Sequence, residues 1–169
     1  MLTSSYLLTT KENAMNHPLD ATDLRILQLL QQDARLTNKQ IAERIGKSVT
    51  PVFERVRRLE RQGFIQQYVA VLNSKMIGKG LVAYAHVQLC SHDQETITKF
   101  ENTVIQFSEV MECYRMAGEY DYLMNIVVKD MEEFNDFVIR KLSLVYDIGT
   151  VQSYFVLDEM KKNAVYKLI

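Results

Sequence analysis

The chain has 169 residues, of which 47% are hydrophobic, and its formal net charge is −1. This length and composition give room for one ordinary domain or two small ones with packed cores, which excludes an intrinsically disordered chain. No apolar run approaches the roughly 20 residues of a membrane-spanning helix, so we expect a soluble protein with no membrane partner.

The N-terminal segment and the cysteines indicate where the protein works. Residues 1–18 carry too little positive charge and too short an apolar run for a signal peptide, and we expect a disordered tail there. The segment leaves open whether translation starts at Met1 or at Met15. Cys90 and Cys113 form no CxxC pair, which is typical of reduced proteins, so we expect a cytoplasmic location.

Charge is distributed unevenly between the two halves. Residues 1–70 hold 10 Lys and Arg against 7 Asp and Glu, whereas residues 71–169 hold 10 against 14. This asymmetry predicts a first half that binds a polyanion and a second half that has another task.

Helix-start and helix-stop signals recur in the first half. Asp20 can cap a first helix with Asp23 at its third position, and Thr37 with Gln40 forms the same device before a second, two-turn helix. Gly46 is placed to end that second helix. The sequence therefore predicts two helices joined in quick succession to a third.

The third helix has two chemically different sides. It begins at Ser48 or Thr50, and both starts are compatible with Pro51, since the first turn of a helix tolerates proline. The helix ends at Gln62, before a glycine. At about 100° per residue, an apolar stripe falls on one side and predicts the buried surface: Val52, Val56 and Leu59. The opposite side carries hydroxyl, carboxylate and guanidinium groups, which are the groups that reach phosphates and base edges.

The spacing of the second and third helices is typical of a helix-turn-helix DNA-binding unit, although a plain helical bundle with a solvated, arginine-rich helix is the alternative. Six basic and two acidic residues lie between Arg44 and Arg61, which favours DNA binding. Arg55 falls near the buried stripe, so we expect it in a structural ion pair. The predicted DNA-contacting residues are Asn38, Lys47, Ser48, Thr50, Phe53, Glu54, Arg57, Arg58 and Arg61.

The remaining pattern predicts an α+β protein with two domains. An alternating strand at 64–72 follows the helices, and residues 19–70 form a winged helix-turn-helix domain. Residues 71–80 form a linker, residues 81–158 a second domain, and residues 159–169 a C-terminal tail. The predicted strands of the second domain are 81–89, 110–116, 120–128 and 150–157, and its helices are 93–107 and 131–145. This βαββαβ order is the ferredoxin-like arrangement, an antiparallel sheet with both helices on one face.

The stretch LDATDLRILQLLQQDARLTNKQIAERIGKSVTPVFERVRRLERQGFIQQYVAVLN resembles the N-terminal region of the Lrp/AsnC family. The resemblance continues through YRMAGEYDYLM and VQSYFVLDEMK and covers about residues 19–162. It implies a transcription regulator that binds double-stranded DNA and is modulated by an amino-acid effector such as leucine, with no other cofactor. It also implies a homodimer and, in many members, an octamer of four dimers. Lys47 is a departure, because the family usually has leucine there.

The resemblance places an effector pocket in the segment 114–122, where Gly118 and Asp121 form a Gly-x-x-Asp element. The backbone of Gly118 would hold the effector carboxylate and Asp121 its ammonium group. A plain hairpin explains the same glycine and aspartate. Ala117 stands where family members commonly carry Thr or Ser. The implied effector-binding residues are Tyr114, Gly118, Tyr120, Asp121 and Tyr122.

Two other classes of function compete with this interpretation. An enzyme or metal site would have to use His86, His92, Cys90 or Cys113, and their spacing forms no convincing set, so we expect no catalytic residues and no metal. An architectural DNA-binding protein without an effector fits the sequence almost equally well. A regulator with an effector differs from an architectural protein in that an amino acid changes its thermal stability or its assembly.

Overall fold

The computed structural model describes residues 18–161 and 165–168, which form two compact units. The first holds the described residues up to Val71 together with the C-terminal ones from Lys161, and the second runs from Leu72 to Met160. Apart from its last residue, the tail predicted at 1–18 lies outside the described residues. Among the described helices, none combines the length and apolar character that crossing a bilayer requires.

The first unit packs three helices around one apolar core. The helices are α1 (Ala21–Gln32), α2 (Asn38–Ile45) and α3 (Val49–Arg61). Ile26 of α1 and Ile41 of α2 are almost fully buried against Val52, Val56 and Leu59 of α3. The predicted buried stripe of the third helix is therefore confirmed.

The predicted caps of α1 and α2 are confirmed. The amide of Asp23 donates to Oδ1 of Asp20 at 2.8 Å, and the amide of Asp20 donates back to Oδ2 of Asp23 at 3.2 Å. Thr37 and Gln40 form the same reciprocal pair at the start of α2. Gly46 ends α2 with φ of 64°, in the left-handed region that favours glycine.

The stretch 64–72 was predicted to be a strand, and this prediction is wrong: these residues form a bend followed by irregular backbone. A strand requires a neighbour for its amide and carbonyl groups, and no strand of the described chain pairs with this stretch. Side chains hold it instead, since Ile65 packs against the helical core and the Tyr68 hydroxyl donates to Glu60 at 2.9 Å.

The C-terminal segment was predicted to be a tail, but its described residues 165–168 contact the three helices of the first unit. The amide of Tyr166 donates to the side chain of Gln31 at 2.7 Å, and the Gln31 side chain donates to the Tyr166 carbonyl at 3.3 Å. Leu168 packs against the core of the three helices. This segment gains two hydrogen bonds and apolar burial that its composition did not reveal.

The second unit is a four-stranded antiparallel sheet with two helices, as the βαββαβ prediction requires. Its elements are β1 (Leu81–Leu89), α4 (Gln94–Val104), β2 (Val110–Arg115), β3 (Tyr122–Val128), α5 (Met131–Arg140) and β4 (Ile148–Phe155). The strand order is β2-β3-β1-β4. The helix predicted to reach residue 145 ends at Arg140, because Lys141 leaves helical geometry and a 3₁₀ turn at Leu142–Leu144 carries Leu142 into the core.

The stretch predicted as a linker at 71–80 forms hydrogen-bonded turns. The amide of Lys79 donates to the carbonyl of Ser74 at 2.8 Å, and its ammonium group lies 3.2 Å from Glu133 of α5. Most of this stretch therefore folds as part of the second unit.

The two faces of the sheet differ in what covers them. Alternate residues of β1 and β3 are fully buried on one face, where they pack with Phe100 of α4 and Phe137 of α5. On the opposite face, Tyr84 is in register with Tyr154, and His86 with Gln152. Both tyrosines are exposed there, so this open face retains aromatic surface outside the core.

Candidate DNA-binding surface and effector site

The turn between α2 and α3 is fixed by backbone hydrogen bonds. After the left-handed Gly46, the amide of Lys47 donates to the carbonyl of Ala42 at 2.9 Å. Ser48 stands before the first residue of α3, which decides between the two predicted starts, and its side chain makes no capping hydrogen bond. Lys47 and Ser48 are exposed, and Asn38, the first residue of α2, is half-buried.

The predicted DNA-facing side of α3 is exposed. Thr50, Glu54, Arg57 and Arg61 all reach solvent, opposite the buried stripe. The guanidinium carbon of Arg57 lies 5.7 Å from the ring centre of Phe53, a cation–π contact that orients the arginine. In the described part of the chain, no carboxylate lies within ion-pair distance of Arg57 or Arg61. An open depression of about 660 Å³ runs along this side.

The other two arginines of α3 are paired with α1. Arg55 lies 2.6 Å from Asp20 and 2.8 Å from Asp23, which confirms the predicted structural ion pair. Arg58 lies 2.6 Å from Asp23, so the structure gives a carboxylate partner to a residue predicted to contact DNA. The Asp23 amide and the Arg55 guanidinium both donate to Asp20 and lower its pKa, and these carboxylates raise the pKa of Arg55.

The segment 114–122 closes on itself beside the end of β1. The amide of Met116 donates to the carbonyl of Asp121 at 2.7 Å, and the amide of Asp121 donates to the carbonyl of Val87 at 2.9 Å. Gly118 is exposed, its φ lies outside the left-handed region, and a Cβ there would meet open space. The fold of the described chain therefore does not by itself require glycine at this position.

Asp121 is held in place by its own carboxylate. Its Oδ2 accepts from the amide of Leu89 at 2.8 Å, and its Oδ1 lies 2.8 Å from Nε2 of His92. The side chain is 24% exposed, so one side of the carboxylate remains open to a ligand. The sequence had suggested His92 only as a weak candidate metal ligand, and its pairing with Asp121 was missed.

A cavity of about 220 Å³ lies beside Asp121. It is lined by Leu89, His92, Ile97, Arg115, Met116, Asp121 and Tyr122. Arg115 brings a cation, which is held 3.0 Å from Glu101 and 5.9 Å above the ring of Tyr122. A carboxylate, a guanidinium group and apolar walls can together bind a small zwitterion with an apolar side chain. The spacing of residues along the chain did not identify Arg115 as part of the effector site.

The structure brings together only some of the predicted effector residues. Asp121 and Tyr122 line the cavity, and Tyr122 is 2% exposed with its hydroxyl donating to Glu101 at 2.9 Å. Tyr120 donates to Gln152 at 2.6 Å and packs against His86 with the two rings tilted, while Tyr114 is exposed on β2. Gly118 lies in the exposed loop that joins β2 to β3.

The remaining polar candidates are dispersed. Cys90 is exposed and Cys113 is half-buried, and burial, with Glu101 adding to it, raises the pKa of the Cys113 thiol. Within residues 18–161 and 165–168, no three His, Cys, Asp or Glu side chains are grouped as metal ligands would be.

Two family models match the chain, each on one of the two units. A winged helix-turn-helix DNA-binding model matches residues 19–66, and the Lrp/AsnC ligand-binding domain matches residues 82–166. The leucine-responsive regulatory proteins of Klebsiella pneumoniae and Escherichia coli are each 35% identical over 145 residues, which is 86% of this chain and 88% of theirs.

Solved structures give the same relationship. A transcriptional regulator from Neisseria meningitidis, solved as a complex with L-Met, superposes with a TM-score of 0.84 at 35% identity, over 89% of this chain and 97% of that one. An AsnC-family regulator from Agrobacterium tumefaciens has a TM-score of 0.84 at 31% identity, with the same coverage. With both units matched and relatives that span almost the whole length, the chain belongs to the Lrp/AsnC family of DNA-binding transcription regulators.

Proposed function

We propose that this regulator acts in the cytoplasm by inserting α3 into the major groove of its operator, and that an amino acid bound in the second unit changes its activity. The observation that carries the DNA-binding part is the exposed side of α3, where Arg57 and Arg61 have no carboxylate partner in the described chain. Arg57 is placed to make bidentate contacts with a base edge, and Lys47 and Arg61 to hold phosphates. The proposed contacts are Asn38, Lys47, Ser48, Thr50, Phe53, Glu54, Arg57 and Arg61, whereas Arg58 has a structural role.

The effector is proposed to bind beside Asp121. Its ammonium group would pair with Asp121 and its carboxylate with Arg115 and with the backbone near Gly118. The apolar walls that Leu89 and Ile97 supply favour an apolar side chain such as that of leucine or methionine. The Neisseria relative, whose solved complex holds L-Met, supports an effector of this class.

Asp121→Asn tests this site. The amide retains an acceptor for the Leu89 backbone but removes the negative charge, so we expect the ligand-induced shift in melting temperature to disappear while DNA binding persists. The measurement is a thermal-shift panel of the twenty amino acids on the purified variant and the wild type. Glu119→Gln is the control, since it removes a neighbouring exposed carboxylate that does not line the cavity. A normal response in Asp121→Asn would place the site elsewhere.

An architectural DNA-binding protein without an effector is the second candidate. It would use the same side of α3, but it would have no need of a cavity that joins Asp121 and Arg115 with apolar walls. A wild-type protein that shows no shift with any amino acid would favour it. We do not propose an enzymatic role, because the relatives are named as regulatory proteins and the polar candidates of the described chain are dispersed.

Homodimerisation is proposed to use the open face of the sheet, with further assembly to octamers as the family resemblance implies. The face carries Tyr84 and Tyr154 side by side, an amphipathic pair of the kind enriched in subunit interfaces. A dimer also supplies two copies of α3 for half-sites about one helical turn apart.

Tyr84→Glu is expected to raise the dimer dissociation constant roughly 30-fold or more, because it buries an unpaired charge at the centre of the proposed interface. Light scattering across a dilution series measures the change in mass. Ile139→Glu on α5 is the matched control, since it places the same charge at a residue that is 57% exposed on the helical side. A dimer of unchanged stability in Tyr84→Glu would exclude the open face as the interface.

A further inference from the structure

Asp23 carries a charge into the interior of the DNA-binding unit. The residue is 1% exposed, yet its Oδ1 lies 2.8 Å from Nη1 of Arg55 and its Oδ2 lies 2.6 Å from Nη2 of Arg58. A buried carboxylate is tolerated only when it is paired and hydrogen-bonded, and here both oxygens are used. The capping role deduced from the sequence explains only the bond from Asp20 to this side chain.

The pairs divide the four arginines of α3 into two classes. Arg55 and Arg58 are held by α1, with Asp20 adding a second carboxylate 2.6 Å from Arg55. Arg57 and Arg61 are exposed and have no ion-pair partner in the described chain. The helix therefore offers DNA about half of the positive charge that its sequence contains.

The two paired arginines remain within reach of a nucleic acid. Their side chains are 31% and 26% exposed, and both border the same depression as Arg57 and Arg61. Nε of Arg58 is buried and makes no hydrogen bond, so its guanidinium is held mainly by the charge of Asp23. If that charge were removed, a phosphate would be the next strongest partner available to Arg58, and Arg55 would be held by Asp20 alone.

We propose that Asp23 is a positioning residue that withholds Arg55 and Arg58 from DNA phosphates and so limits sequence-independent binding. Phosphate contacts carry affinity but no sequence information, whereas base contacts by Arg57 discriminate between sites. Restraining two of the four arginines lowers the affinity for every DNA sequence. Because the base contacts are unaffected, a larger fraction of the remaining binding free energy depends on the operator sequence. This inference rests on the proposed placement of α3 on DNA.

The test is Asp23→Asn in the full chain, with operator and random duplexes titrated over a range of salt concentrations. The released arginines are expected to raise the affinity for the random duplex about tenfold at low salt. The slope of log K against log salt should become steeper by about 1 to 2, since each phosphate contact contributes about 0.9. The ratio of operator to random affinity should fall. An unchanged slope in a folded variant, with weaker binding to both duplexes, would show a purely structural role and overturn the proposal.

Two further variants keep the test decisive if Asp23→Asn unfolds. Asp20→Asn preserves a good helix cap but removes one carboxylate from Arg55, and it should steepen the slope by up to about 1. Asp23→Asn combined with Arg58→Gln avoids leaving Arg58 unpaired and leaves Arg55 held by Asp20 alone, so its slope should be steeper than wild type by up to about 1. Slopes equal to wild type in both variants would overturn the proposal.

Glu43→Gln is the matched control for net charge, because it neutralises an exposed carboxylate on α2 of the same unit. Its slope should stay within error of wild type, and a slope as steep as that of Asp23→Asn would overturn the proposal by making the effect one of net charge. Wild-type binding to the operator tests the proposed function separately. If the wild type does not bind the operator, the placement of α3 is refuted. If the wild type binds and the slope of Asp23→Asn is unchanged, only the role of Asp23 is refuted.

Discussion

Arg57→Ala is expected to weaken binding to a selected operator by about 1 to 3 kcal/mol, which is roughly 5- to 150-fold, and to relax preference at one base pair. Arg57 is exposed on the side of α3 that we propose faces DNA, and its cation–π contact with Phe53 at 5.7 Å pre-orients the guanidinium. A bidentate contact to guanine would then be lost with no structural partner left unpaired. Fluorescence anisotropy with the operator and its single-base variants measures both effects.

Arg25→Ala is the control for this experiment. Arg25 is exposed on α1 in the same unit, so the variant loses the same charge away from α3. We expect its operator affinity to change by much less than that of Arg57→Ala and its base preference to remain. Equal losses in the two variants, or no loss in Arg57→Ala, would remove Arg57 from the proposed contacts.

Phe100→Ala is expected to destabilise the second unit by about 3 to 5 kcal/mol. Phe100 is fully buried between α4 and the sheet, and its ring centre lies 4.5 Å from that of Tyr122. Truncation leaves a cavity that the antiparallel sheet cannot close. Because Tyr122 lines the proposed effector cavity, the amino-acid response should be lost with the packing. Urea unfolding followed by circular dichroism measures the loss of stability.

Ile105→Ala provides the comparison for Phe100→Ala. Ile105 caps the end of α4 and is 64% exposed, so its truncation should change the free energy of unfolding by no more than about 0.5 kcal/mol. A loss below about 1 kcal/mol in Phe100→Ala would contradict the position of this residue in the core.

Features that depend on neighbouring residues were predictable from the sequence. Capping boxes at Asp20 and Thr37, the stop at Gly46 and the buried stripe of α3 each follow from spacings of a few positions, and the structure confirms them. The βαββαβ order was predictable because alternation and helical periodicity differ clearly in that half of the chain.

Features that depend on distant partners were not predictable in the same way. The stretch 64–72 alternates like a strand but has no strand beside it in the described chain. The pairing of Arg58 with Asp23 was missed because the two residues lie 35 positions apart in sequence. The effector segment was located by resemblance, yet Arg115 and His92 join Asp121 only through the fold, and Tyr120 lies against the open face of the sheet.

Titrating the wild-type chain with its selected operator, in the absence and presence of each amino acid, tests most directly whether effector binding is coupled to DNA binding by α3. We predict tight, salt-dependent binding to the operator, and a change in affinity or in the mass of the complex with leucine, methionine or a similar apolar amino acid. Operator binding that no amino acid alters would contradict a sensor coupled to α3 and leave an architectural protein. Failure to prefer any duplex sequence would contradict the reading of bases by α3.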